Sequence, residues 1–366
     1  MHPEFQQLMN QATRLTRSGD LAAATAAIQA ALRGGATAAP AREDDADVID
    51  VEAWEIPEPA ARSAKATATV DDVAPLADKP ATAGDTFTAG SFRNAGGHRS
   101  YKLYVPPNAG TEPRPLVVML HGCTQDADDF AAGTAMNQAA RAQGFYVLYP
   151  VQSREANPQK CWNWFKHNHQ QRGRGEPEIL AGMTRAVIDT HAIDPQRVYV
   201  AGLSAGGAMA AILAGAYPDL FAAAGVHSGL AAGVASDLPS ALSAMKGAGI
   251  HAAGQAASGV PTIVFHGDRD ATVHPGNGQA VAAASVGASA AVETCRMPGA
   301  GGKRHSTRYL YRNPAGDIRA ERWQIHGAGH AWAGGSVSGS YTDQSGPDAS
   351  AEMLRFFFER SLGGQR

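Results

Sequence analysis

Cysteine is scarce in this 366-residue sequence, with Cys123, Cys161 and Cys295 the only three. Three thiols cannot build a disulfide scaffold or a four-cysteine zinc module. An excess of one charge is also missing. Lys and Arg number 31 against 34 Asp and Glu, a formal net charge of −3. No basic surplus exists to neutralise phosphates, which excludes nucleic acid as a principal partner. No run of about 18 apolar residues occurs, so a transmembrane helix is excluded. Apolar residues still make up 44% of the chain, enough for a large core and too many for a disordered polymer. Glycine is plentiful at 41 residues, pointing to tight turns and close backbone approaches.

The first 33 residues read as a helical hairpin. Phe5, Leu8, Met9, Ala12 and Leu15 make one apolar stripe; Gly19 breaks the chain, Asp20 caps, and Leu21, Ala24, Ile28, Ala31 and Leu32 make a second. The stretch 21–32 is alanine-rich and interrupted by Thr25 and Gln29, unlike the apolar centre of a signal peptide. Localisation is therefore expected to be cytoplasmic, with extracellular the alternative. Residues 34–85 are dominated by Ala, Pro, Thr, Asp and Glu; such a segment cannot offset its ordering entropy and is expected to be a disordered linker. A hairpin of about thirty residues cannot bury a core alone, so its stripes are expected to dock on each other, a protein or a polymer granule.

Residues 86–366 form the expected catalytic domain. RSYKLYV (99–105), PLVVML (115–120), GFYVLY (144–149), RVYVAG (197–202), 222–226 and PTIVF (261–265) read as strands. Helices are expected at 126–143, 178–191, 204–217 and 348–362, with a hairpin of 307–311 and 318–325 around NPAGD. Short apolar runs alternating with helices predict an α/β fold, a mostly parallel doubly wound sheet with helices on both faces, whose chemistry lies at the strands' C-terminal ends.

Those ends carry the informative residues. RVYVAG runs into Gly202-Leu203-Ser204-Ala205-Gly206 and then a helix. A bare G-x-S-x-G recurs by chance; flanked by a strand and a helix it describes a strained turn that exposes the serine to a base. A serine needs a base, and the base an orienter. After PTIVF come His266-Gly267-Asp268-Arg269-Asp270, offering two carboxylates. After RAERWQI come His326-Gly327-Ala328-Gly329-His330, offering two histidines. A metal pair at His326 and His330 would need a helix, which two glycines in the spacer oppose, so no metal and no cofactor is expected. Ala205 would supply one oxyanion amide and, after PLVVML, Cys123 or Thr124 the other. His121, His227 and His266 read as satisfied loop or core histidines.

LHGCTQ, YPVQ…CWNWF…RGRGEP, GLSAGGAMA, HGDRDATV and GAGHAWAGG together resemble the polyhydroxybutyrate depolymerase family of esterases, related to feruloyl and acetyl-xylan esterases. The resemblance covers roughly residues 90–340. It implies an α/β-hydrolase fold and ester hydrolysis through an acyl-enzyme, with Ser204 as nucleophile, Asp270 as acid and His330 as base. Ala333 stands where the family pattern has proline. The sequence also lacks a C-terminal polymer-binding domain of the kind secreted depolymerases carry, an expectation against crystalline polymer as substrate. The substrate class is then hydroxyalkanoate polyester or oligomers, with plant cell-wall esters the alternative. The contrasting non-enzyme reading is a hydrolase-fold binding protein with a vestigial triad, which an intact ordered Ser, Asp and His oppose.

Trp162 and Trp164 in an insertion, and Trp332 beside the base, are the candidate apolar wall for the substrate. Cys123 and Cys161 fall in loops at the same edge and are either bridged or, as a cytosolic location would favour, two reduced thiols.

Overall fold

The computed structural model describes residues 84–249, 259–286, 291–299 and 301–363. The expected hairpin 1–33 and nearly all of the linker 34–85 lie outside the described residues. The main sheet holds β1 (Thr86–Asn94), β2 (Gly97–Val105), β3 (Arg114–Leu120), β4 (Tyr146–Val151), β5 (Ile193–Leu203), β6 (Ala223–His227), β7 (Thr262–Gly267), β8 (Ala291–Met297), β9 (Ser306–Arg312) and β10 (Ile318–Ile325). Their spatial order is β1-β2-β4-β3-β5-β6-β7-β10-β9-β8. From β4 through β10 the neighbours are parallel, and antiparallel strands close both edges.

The centre of the sheet is buried on both faces, which is why its strands read as unbroken apolar runs. On β3, Leu116, Val118 and Leu120 pack with Leu180, Met183, Met209 and Leu213, from α3 (Gly175–Thr190) and α4 (Ala205–Ala216). Val117 and Met119 face the other way, onto Phe130, Met136, Phe356 and Phe357. Those come from α1 (Ala127–Thr134), α2 (Met136–Gln143) and α7 (Ala349–Phe358). Each such side chain, fully buried, contributes about 1.5–3 kcal/mol. Two further helices are α5 (Leu238–Met245) and α6 (Gly276–Val286), of which α6 packs on β7 and β10. This is the expected doubly wound architecture.

One expected helix is two. The run 126–143 breaks at Ala135, which adopts the left-handed conformation at φ 54°. The C-terminal carbonyls of α1 are satisfied from elsewhere: Gly133 O accepts from Ser336 N at 2.8 Å and Thr134 O from Ser350 Oγ at 2.6 Å. Donors from a distant loop and from the first turn of α7 thus replace the next helical turn. A β1 edge strand, α5, α6 and β8 were not expected; β8 is largely exposed on both faces and therefore carries no apolar alternation.

Candidate active site

The serine turn is dictated by its glycines. A Cβ on Gly202 would lie 2.4 Å from the Gly206 carbonyl carbon, and one on Gly206 2.0 Å from Leu120 O. Only bare backbone lets β5, β3 and α4 cross this closely. Ser204 between them sits at φ 57°, ψ −117°, a conformation costing a side-chain-bearing residue on the order of 1–3 kcal/mol. Two hydrogen bonds hold it there: Ser204 N donates to His227 O at 2.9 Å, and Ala208 N to Ser204 O at 2.9 Å. Behind it, α4 presents its N-terminal amides, Ala205 first.

Asp270 and His330 meet in loops after two adjacent parallel strands, β7 and β10. The loops are tied by Asp268 N to Ile325 O and Arg269 N to Ala328 O, both 3.0 Å. Gly267 permits the contact, since a Cβ there would stand 2.3 Å from Ala328 O. His330 Nδ1 lies 2.7 Å from Asp270 Oδ2. The Asp270 carboxylate is buried and accepts Thr272 N at 2.9 Å and Val273 N at 2.8 Å on its other oxygen. Burial alone would raise its pKa. The hydrogen bonds from His266 and His330 and from the Val273 amide outweigh that and hold the carboxyl well below the usual carboxylate range. With Nδ1–H given to Asp270, the imidazole keeps Nε2 as the acceptor.

Ser204 follows β5 and His330 follows β10, with β6 and β7 between them in the sheet. Among the described residues no hydrogen bond joins Ser204 to His330; such bonds commonly tighten only in the substrate complex. What ties the two loops is His227, at the end of β6. Its carbonyl holds the Ser204 amide, and its ring Nε2 accepts from Ala333 N at 3.0 Å. The ring therefore carries its proton on Nδ1, 3.1 Å from Ser228 Oγ. Burial, reinforced by repulsion from His266 and His330, keeps its pKa well below that of a free histidine. Neutral His227 is a spacer between serine turn and base loop, a role that the bare pattern AAGVHSG did not signal.

On the oxyanion side the two candidate amides separate. Thr124 N donates to Gln159 O at 2.7 Å, so Thr124 is corrected: its amide is spent on the insertion. Cys123 is left, and its side chain is disulfide-bonded to Cys161. Gly122 N donates to Gln125 Oε1 at 2.9 Å, and His121 donates from Nδ1 to Gly122 O at 2.7 Å while its Nε2 accepts the Gln152 amide at 3.1 Å. Burial pushes the His121 pKa down to about 4. The insertion bearing Cys161 is pinned in turn by Glu176, fully buried in the first turn of α3. Its carboxylate takes the Asn163 amide and side chain at 2.7 Å each and Arg99 at 3.1 Å. Burial would raise the Glu176 pKa, and the bonds from His169, Gln152 and Asn163 reverse that and lower it.

The three tryptophans are also corrected as an open wall. Trp162, Trp164 and Trp332 are all buried in the two main cores. Trp162 Nε1 donates to His121 O and Trp332 Nε1 to Ser350 Oγ, each at 3.1 Å. Their sequence position beside the site reflects packing beneath the loops. The exposed aromatic at this edge is Tyr341, whose hydroxyl lies 3.4 Å from Thr124 Oγ1 and whose carbonyl accepts the Trp332 amide at 2.7 Å. Among the described residues no group of three or more His, Cys, Asp or Glu side chains is disposed to hold a metal ion, and no helix is long and apolar enough to cross a membrane.

The sheet order, the strained serine after β5 and the hydrogen-bonded acid and base after β7 and β10 define an α/β-hydrolase. A family model described as esterase PHB depolymerase matches residues 99–307; the chain belongs to that family. It is 39% identical over 186 residues to poly(3-hydroxyalkanoate) depolymerase C of Paucimonas lemoignei, covering 47% of this chain and 43% of that protein. It is 36% identical over 140 residues to feruloyl esterase B of Thermothelomyces thermophilus, covering 38% and 47%. This chain therefore spans less than half the length of these two relatives. The esterase-named protein NocK of Nocardia uniformis subsp. tsuyamanensis is 30% identical over 312 residues, 76% of this chain and 83% of that one. Among solved structures, acetyl xylan esterase from Aspergillus awamori superposes with a TM-score of 0.55 at 21% identity, over 66% of this chain and 94% of that one, a likeness of fold.

Proposed function

We propose that this protein is a serine esterase that cleaves carboxylic esters through an acyl-enzyme, with aliphatic hydroxyalkanoate oligomers as its substrate class. The observation that carries the reading is the Asp270–His330 pair, 2.7 Å apart with the Asp270 carboxylate buried, in loops of the same sheet edge as the strained Ser204. His330 Nε2 takes the Ser204 hydroxyl proton as Oγ attacks the ester carbonyl. The amides of Ala205 and Cys123 hold the resulting oxyanion, each worth about 3 kcal/mol in such sites. The tetrahedral adduct expels the alcohol, which receives its proton from the imidazolium. Water then attacks the acyl-Ser204, again giving its proton to His330, and the free acid leaves.

Two findings support an aliphatic ester over a phenolic one. The depolymerase relative shares 39% identity with this chain against 36% for the feruloyl esterase, and over a longer stretch. The tryptophans that would stack a phenolic ring are withdrawn into the core. We further read the Cys123–Cys161 bond as favouring an oxidising, extracellular setting over the cytoplasmic one, because such bonds are rare in the cytosol. Purified protein should hydrolyse a short-chain p-nitrophenyl ester, and Ser204→Ala should lose that turnover by several orders of magnitude without unfolding. On a substrate panel, hydroxybutyrate trimer should give the highest kcat/KM; a feruloyl or acetyl-xylan ester ranking above it would overturn the substrate class.

A further inference from the structure

Two arginines are equally buried, at 8% exposure each, and they are treated very differently. Arg99 donates to Gln152 Oε1 at 2.8 Å, to His98 O at 2.7 Å and to Glu176 at 3.1 Å. Arg322, on β10, has no hydrogen-bond or ion-pair acceptor among the described residues, and its Nε is shielded and unpartnered. Its guanidinium lies 4.0 Å over the ring of Tyr309. A buried cation without an acceptor is costly and is normally paired or bound to a ligand.

Arg322 lines a cleft of about 570 Å³ between α6 and the β7-β10-β9-β8 face, together with His266, Gln279, Thr294, Tyr309 and Tyr311. Small-molecule sites commonly have this volume. The register explains the composition. Arg322 pairs with Tyr309 on one side and Val264 on the other, and Tyr309 with Thr294. The neighbouring carboxylates Glu321 and Glu293 alternate onto the opposite face, where Glu321 is engaged by Arg355 at 2.6 Å and Glu293 by Arg312 at 3.1 Å. Among the described residues the cleft lining therefore has the Arg322 positive charge, hydroxyl and amide groups, and tyrosine walls, with no acidic group to neutralise it.

We propose that this cleft binds a small organic monocarboxylate, the carboxylate on Arg322 and its short chain against the tyrosines. A single cation beside aromatic walls fits a monoanion with an apolar tail better than a phosphate, which is held by several donors. The identity of that acid rests on the proposed esterase reading, since ester hydrolysis releases such acids. The cleft also lies behind the catalytic acid: His266 lines it, and His266 Nε2 is 3.4 Å from Asp270 Oδ2.

Calorimetric titration with sodium 3-hydroxybutyrate tests the site in Ser204→Ala protein, which keeps the cleft whatever the fate of the serine reading. Saturable one-to-one binding is expected, weakened at least tenfold by Arg322→Gln. Thr294→Trp, placed at the exposed mouth with Arg322 untouched, should weaken it similarly and covers the case in which the arginine variant misfolds. On otherwise unmodified protein, Arg322→Gln should leave p-nitrophenyl acetate turnover within about twofold. No saturable binding, or equal binding by Ser204→Ala with and without either cleft substitution, would overturn the proposal. Loss of esterase activity alone would bear only on the serine reading.

Discussion

Two Asp–His pairs stand side by side at the active-site edge, spaced alike in sequence. Asp270 meets His330 at 2.7 Å and Asp268 meets His326 at 2.9 Å. Distance does not separate them; surroundings do. The Asp270 carboxylate is fully covered and receives two backbone amides plus His266. Asp268 keeps 28% of its side chain in water and is bonded by His326 and the Gly327 amide. The free nitrogens differ more. His326 Nε2 is occupied by Thr307 Oγ1 at 2.9 Å, on β9 and away from the serine. His330 Nε2 has no hydrogen-bond partner among the described residues. A carboxylate–imidazole pair is thus a common structural clamp. It becomes a candidate base only where the second ring nitrogen faces a nucleophile.

The two pairs should diverge most sharply under amide substitution. Asp270→Asn should lower kcat by about 10³–10⁴-fold, because the amide offers the wrong partner to Nδ1–H and spoils the tautomer. Asp268→Asn should cost less than about tenfold, through loosening of the clamp alone. Steady-state kinetics on a soluble ester reads both, and reversed magnitudes would exchange the two assignments. The next effect concerns the oxyanion amide. Cys161→Ser cuts the covalent tie to Cys123 and should lower kcat about ten- to hundredfold with little change in KM, short of complete loss of one donor. Unchanged kcat would show that Gly122, Gln125 and the insertion hold that loop unaided.

The pH response of stability sharpens the same contrast between buried and exposed groups. The His121 pKa is lowered in the folded protein to about 4, from about 6.5 for a free histidine. Between those values the unfolded chain binds a proton that the folded one excludes, so stability present above pH 6.5 is lost as pH falls. The difference amounts to about 3 kcal/mol for this group, and buried His227 acts in the same direction. Asp270, also lowered, contributes stability that is lost only as pH falls below about 4. Tm should therefore drop between pH 6.5 and 4, and His121→Gln should flatten part of that slope. A flat profile would mean that the buried histidines are hydrated. The smallest effect is expected outside the described residues: deleting 1–84 should leave soluble-ester kcat/KM within about twofold, as measured on purified truncated protein. Collapse of activity would show that the N-terminal segment belongs to the catalytic fold.

The serine turn and the central strands were legible because each rests on a local rule. Gly202 and Gly206 are required because a Cβ on either would stand only 2.4 or 2.0 Å from neighbouring backbone, and strands buried on both faces read as apolar runs. What was not legible depends on partners distant in sequence. The choice between Asp268 and Asp270 needed a family pattern, since both carboxylates follow the same strand. The Thr124 amide was lost to Gln159, 35 residues away, and the break at Ala135 to Ser336 and Ser350. The tryptophans misled because proximity to a site in sequence says nothing about which side of a loop a ring packs on. His227 was passed over as a core histidine. It is one, and its two polar ends also join the serine turn to the base loop.

The most direct test of the catalytic unit is covalent. Diethyl p-nitrophenyl phosphate, which traps activated serines, should inactivate the protein in step with incorporation of one phosphoryl group. Peptide mass spectrometry should place that group on Ser204, with labelling abolished by Ser204→Ala and slowed severely by His330→Ala and Asp270→Asn but not by Asp268→Asn. Labelling at another residue, or inactivation that proceeds unchanged in Ser204→Ala protein, would contradict the assignment of Ser204, His330 and Asp270 as one catalytic unit.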